Sequence, residues 1–250
     1  MSYKKIFHAS NWFNATPEER LEALQSLENE YARLQGRSPA IVRILEDPEV
    51  ENAQFIKGTP GFTRDIIEIE KELIDFSIGG NKKFSFRVTN VFACHALLHE
   101  GRHAYQHYAI DHPEIHPDKE QVQKWRENNE VYYCRPKHYY HFQPVELDAE
   151  KFARNEMKKI FRELEKEFGE DYAFQRYKQY IEAMDRFYEK LADELGKDVE
   201  SVIQSVESRI HQVYQARERI NKELEALNTA TQERKELINL TNERINEMER

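Results

Sequence analysis

The chain has few of the features that mark several protein classes. It has only two cysteines in 250 residues, Cys94 and Cys134. They cannot form a disulfide framework, which fits a reducing compartment. No apolar run approaches the roughly 18 residues that would suggest a membrane span. The opening Met1-Ser2-Tyr3-Lys4-Lys5 leads to His8 and Asn11 rather than to an apolar signal region, so a cytoplasmic location is expected, with signal-less export left open. Positive charge is short as well: 37 Lys and Arg face 46 Asp and Glu, a net charge of -9. Phosphate contacts need clustered basic side chains, so general nucleic-acid or anionic-membrane binding is not expected.

What is present begins with a helix signal. Thr16 can cap, Pro17 suits the first helical position and Glu19 can complete a capping box. Leu21, Leu24, Leu27, Tyr31 and Leu34 recur at helical spacing before a stop at Gly36. Three strands are expected next, at residues 40–45, at 65–69 and, after Gly79-Gly80, at 84–88. Thr89 or Asn90 then caps a helix through His99 and His103 to about Tyr108. Asp111 to Gln143 reads as a loop-rich connection with one short helix near Lys119 to Arg126. Further helices are expected from Pro144 to Gly169 and from Asp171 to Leu195.

Val199 to Met248 contains no Gly or Pro and carries two apolar seams at heptad spacing. One runs through Val199, Val206, Val213, Ile220 and Leu227, the other through Ile203, Ile210, Leu224, Ile238 and Ile245. Arg217, Thr231 and Arg234 interrupt them. The segment reads as a coiled coil joining a second copy or a partner helix through residues 199–248, or as one long helix folded back on the domain.

The chemistry centres on His99-Glu100-Gly101-Arg102-His103. Residues four apart share a helical face, so His99 and His103 can offer imidazole nitrogens to one metal ion. Glu100 can accept the proton of a metal-activated water as it attacks a carbonyl. Catalytic zinc takes three protein ligands and keeps one open position. Glu146, on a helix 43 residues after His103, is the best candidate for the third. Glu150 lies one turn further on and can orient His99 or His103, with Asp148 less well placed. His138, Tyr139, Tyr140 and His141 are candidate donors to a transition-state oxyanion. His95 and His107 extend the histidine stripe but read as polar packing or rim residues, and Cys94 as a buried hydrophobe.

HExxH followed by Glu146-Leu147-Asp148-Ala149-Glu150-Lys151-Phe152-Ala153 resembles the gluzincin metallopeptidases. More narrowly it is similar to the ImmA/IrrE-type peptidase-like domains of mobile elements and stress regulators, over about residues 16 to 165. The resemblance implies one Zn2+ ion held by His99, His103 and Glu146, with a peptide or protein substrate lying along the strand at 84–88. The expected fold is α+β: a small zincin-like domain over 1–170, an amphipathic helix at 171–196 packing on it, and a long helix at 197–250. The connection between the two motifs is longer than in that pattern, and no helix-turn-helix is evident. Zinc-dependent peptide hydrolysis is the expected function. A catalytically silent zincin fold acting as a scaffold through its tail is the alternative, and an interaction protein in which HExxH is coincidental is the third reading.

Overall fold

A computed structural model describes residues 3–45, 53–59, 61–75 and 88–248, with side chains through Asn239. After a 3-10 turn at Tyr3–Phe7 and the short helix α1 (Ala9–Trp12), α2 (Pro17–Gln35) begins with the expected capping box. Thr16 accepts from the Glu19 N–H, and the Glu19 carboxylate accepts from the Thr16 N–H at 2.7 Å. The helix ends at Gly36, whose φ of 72° lies in the left-handed region that a side chain would disfavour.

The sheet has three described strands, β1 (Ile41–Leu45), β2 (Ala53–Ile56) and β3 (Ile66–Glu70), in the order β1-β3-β2. β1 runs parallel to β3 with Ile41 opposite Ile66, whereas β2 runs antiparallel with Ala53 opposite Ile69. β3 is central and buries Ile67 and Ile69 completely. Glu68 binds Arg43 on one neighbour and Gln54 on the other, which ties the three strands together. β2 is an unexpected strand: four residues without clear alternation carry little period-two signal. The strand expected at 84–88 falls outside the described residues except for Val88, which precedes the next helix.

A four-residue helix, α3 (Lys71–Ile74), follows β3, and α4 (Thr89–Asp111) crosses the middle of the molecule. Small residues on several faces (Ala93, Ala96, Ala104 and Ala109, all buried) let other elements pack close around α4. Thr89 and Asn90 do not cap it, contrary to expectation. Thr89 Oγ1 accepts from the Trp12 indole, and the Asn90 amide donates to the Phe7 carbonyl.

The connection expected to be loop-rich is largely helical. Asp118 caps α5 (Lys119–Glu130), whose Val122 and Trp125 bury against Tyr105 and which runs past Arg126 to bury Asn128, bonded to Gln143 and the Val145 N–H. α6 (Lys137–Phe142) follows, burying Phe142. α7 (Pro144–Phe168) then packs along α4 and sends Ala149, Ala153, Met157 and Phe161 inward. Asp171 caps α8 (Tyr172–Glu194), whose Phe174 stacks on Phe161 with ring centres 4.8 Å apart.

The chain is thus α+β, mostly helical with a small mixed sheet and a long last helix, α9 (Val199–Met248). α9 has two parts. Val202, Val206 and Ile210 are buried in a second core with Val131, Phe142 and Ala192. Beyond it Ile220, Leu224, Leu227 and Ile238 stand exposed along one stripe. Among the described residues no helix is long and apolar enough to cross a membrane.

Candidate metal centre

α4 carries His99 and His103 on one face, and α7 lies against that face with Glu146 in its first turn. The three side chains converge. His99 Nε2 and His103 Nε2 are 3.2 Å apart, His99 Nε2 is 3.3 Å from Glu146 Oε2, and His103 Nε2 is 3.5 Å from Glu146 Oε1. Ligand bonds of roughly 2.0–2.1 Å at tetrahedral angles separate ligand atoms by about 3.3–3.4 Å, so these spacings fit a small cation.

Gln106 settles which nitrogen of His103 is free. Its amide nitrogen donates to the Val145 carbonyl at 2.9 Å and to Asp148 Oδ2 at 2.8 Å. Its oxygen, 2.9 Å from His103 Nδ1, is left to accept, which puts the proton on Nδ1 and a lone pair on Nε2. Two facing imidazole lone pairs repel, so a proton or a cation must lie between His99 and His103. Burial alone would lower the His99 pKa, but hydrogen bonds to Glu146 and Glu150 and the charge of Glu100 raise it well above the ordinary value. Burial pushes Glu146 up, yet His103, His99 and the Tyr132 hydroxyl together hold it down at about 2.

A second trio, His95, His99 and Glu150, is also compact enough to hold a metal ion. Its atoms are already committed. Glu150 Oε1 accepts from Arg154 at 2.6 Å, and Arg154 also reaches Asp185. Glu150 Oε2 accepts from His95 Nε2 at 3.1 Å, which places a proton on that nitrogen, while His95 Nδ1 meets the Tyr177 hydroxyl at 2.6 Å. His99 Nδ1 lies 3.7 Å from the same carboxylate oxygen. Burial opposes ionisation of Glu150, but His95 and His99 keep it well below the usual carboxylate range.

The first trio faces a cleft of about 270 Å³. Glu100 lines it, half-buried, together with Ala53, Gln54 and Phe55 of β2 and with Tyr132 and Tyr140. The Tyr132 hydroxyl donates to Glu146 Oε1 at 2.8 Å. Burial and the nearby Glu146 raise the pKa values of both tyrosines, so they stay protonated donors.

No family model, curated protein or solved structure matches the chain. The site's chemistry therefore rests on its own atoms.

The residues expected from sequence divide clearly. His99, His103 and Glu146 are together, Glu100 and Tyr140 line the same cleft, and Glu150 lies behind His99. Tyr139 instead stacks on Tyr133 in the second core, and His141 packs against Phe187 and Tyr188, so neither lines the cleft. α6 explains the sorting, because a short helix directs successive side chains to different sides. Asp148 acts through Gln106 and also grips Arg102 at 2.7 and 3.0 Å. Tyr132 and Gln106 were not anticipated. Gln106 follows His103 by three residues, a spacing that places it on the same helical face and could have marked it.

Beneath the site, Gly101 explains its own identity. A Cβ there would lie 3.2 Å from Glu28 Oε2, and the Gly101 carbonyl accepts from Arg37. Glu28 and Arg37 form a buried pair at 2.6 and 3.0 Å that also receives the Ala40 N–H, joining α2, β1 and the histidine helix.

Proposed function

We propose that the protein is a zinc-dependent peptidase of gluzincin type, with His99, His103 and Glu146 as metal ligands and Glu100 as general base and acid. The observation that carries this reading is the convergence of His99 Nε2 and His103 Nε2, 3.2 Å apart, on the Glu146 carboxylate, whose two oxygens lie 3.3 and 3.5 Å from them, at a cleft that Glu100 also lines. The first trio is favoured over the second because all three of its residues line the cleft with Glu100 and His103 offers a lone pair, whereas His95 and Glu150 do not line it and Glu150 is ion-paired with Arg154. Two histidines and a carboxylate form a donor set suited to zinc.

Zinc held there would supply a Lewis acid that polarises a carbonyl and lowers the pKa of water. Glu100 would take a proton from the attacking water and pass it to the departing amine. Tyr140, a neutral phenol that lines the same cleft, would donate to the oxygen on which negative charge develops. Tyr132 is engaged with Glu146 and holds that carboxylate in place. Two unpaired cysteines suit a cytoplasmic setting.

The test is a Glu100→Gln protein assayed on a broad peptide library. It is expected to keep its zinc and lose roughly 10²–10⁴-fold in cleavage rate. Undiminished cleavage would remove Glu100 from the mechanism.

The exposed stripe on α9 favours a second reading, in which the fold works as a scaffold through that helix. Ile220, Leu224, Leu227 and Ile238 are 51–64% exposed on a helix whose buried side chains, among those described, lie in its root.

A further inference from the structure

The cleft extends past the three ligands. Beyond His103 it follows α4, where its lining becomes Phe55 of β2, His107 and Ile110 of α4, Asn129 of α5 and Val145 of α7. Apart from Glu100 and Glu146, none of the lining residues is Lys, Arg, Asp or Glu. Among the described residues, the charges at this end are already engaged: Lys57 and Asp111 bind each other at 2.8 Å, and Arg126 donates to the Ile110 carbonyl at 2.9 Å.

His107 reinforces the neutrality. Its ring lies on Phe55 with centres 5.4 Å apart, and its Nδ1 is buried without a hydrogen-bond partner. Burial, with Lys57 and His103 nearby, pushes its pKa down to about 4, so the ring is uncharged near neutral pH.

Distance along α4 sets the reach of this end. At 1.5 Å of rise per residue, His107 lies roughly 6 Å and Ile110 roughly 10 Å beyond His103 along the helix axis. An extended peptide advances about 3.3 Å per residue, so that span corresponds to two or three residues.

Resting on the peptidase reading, we infer that this half of the cleft is a specificity subsite selecting a bulky uncharged side chain two or three residues from the bond cut. An aliphatic or aromatic side chain would exclude water against Phe55, Ile110 and Val145. A charged one would lose hydration and, among the described lining residues beyond Glu146, meet no carboxylate or basic side chain.

Two measurements test this. First, peptides carrying Leu, Asp or Lys at one position at a time are cleaved by wild type, with the cut bond mapped by mass spectrometry. Leu is expected to exceed Asp and Lys by at least tenfold in kcat/KM at one position two or three residues from that bond. Ile110→Glu is expected to shift the preference there to Lys. A flat profile, a preference confined to the residues flanking the bond, or an unchanged Ile110→Glu profile would overturn the inference. Second, N-acetyl-leucinamide and N-acetyl-lysinamide are titrated into metal-free wild type while the His107 imidazole signals are followed by NMR. Only the leucine probe is expected to move them, and equal or absent shifts would count against the subsite. A protein that binds the leucine probe at His107 yet holds no zinc and cuts nothing would sink the peptidase reading and leave the pocket standing. A protein that cuts peptides with a flat profile would do the reverse.

Discussion

Gln106 holds His103 in the tautomer a metal ligand needs: its oxygen lies 2.9 Å from Nδ1, and its amide hydrogens are spent on Val145 and Asp148. Gln106→Leu removes that acceptor while keeping the side chain's bulk. Zinc affinity, measured by competition with a chelator, is expected to fall roughly 10–100-fold. Asp148→Asn is expected to lower it less, because Val145 still holds Gln106. Unchanged affinity in Gln106→Leu would show that this bond does not orient His103.

The buried Glu28–Arg37 pair anchors the histidine helix from below. Glu28→Gln leaves the Arg37 charge buried without a full partner, at an expected cost of about 3–5 kcal/mol. Gly101→Ala adds a methyl group against the same pair, and Ala40 and the Gly101 carbonyl keep that pair from yielding. Overpacking is expected to outweigh the better helix propensity and destabilise by about 1 kcal/mol. Urea denaturation of both variants checks these values, and a Gly101→Ala protein as stable as wild type would show that the pair can shift.

Protons and metal compete at His99. In the metal-free protein its raised pKa contributes stability that is complete below the unfolded value, about 6.5, and is lost as pH rises through the folded value. Glu146 works in the opposite direction: its contribution is present above about pH 4.3 and lost as pH falls toward its folded value. Unfolded His107 still binds about half a proton at pH 6.5, so it offsets His99 there, and that offset fades by about pH 7.5. Between pH 6.5 and 8 the Tm of metal-free protein is expected to fall, and the Tm increase on adding zinc to grow. Melting curves with and without zinc check this. A zinc-induced shift independent of pH would mean that no proton leaves on binding.

The helix α9 separates stability from association. Val206 is buried in its root, so Val206→Asp is expected to destabilise by about 2–4 kcal/mol. Leu224 and Leu227 are exposed, so the double change Leu224→Asp, Leu227→Asp is expected to leave the helical circular dichroism and zinc content unchanged. If α9 joins two copies, sedimentation will find a wild-type dimer and a monomeric double variant. A monomeric wild type would leave the stripe to another partner helix.

Several of these features could be read from residues close together in the chain. Thr16, Pro17, Glu19 and Gly36 mark the ends of α2 by local chemistry, and the four-residue spacing of His99 and His103 survives any packing. Glu146 could be placed because its helix begins plainly at Pro144. Tyr132 could not, since its value comes from how α5, α6 and the root of α9 fold the 131–142 segment back onto the cleft. The same packing diverts Tyr139 and His141, which sequence alone could not separate from Tyr140. β2 escaped notice because Ala53-Gln54-Phe55-Ile56 is too short to show a period, and it owes its pairing to β3.

Metal content is the most direct test of the central claim. Protein purified from zinc-supplemented medium is analysed by elemental mass spectrometry as wild type, His99→Ala and Glu146→Gln, with folding checked by circular dichroism. Near-stoichiometric zinc in wild type, lost in both folded variants, is the predicted result. Wild type without metal, or full occupancy in Glu146→Gln, would contradict a centre built from His99, His103 and Glu146.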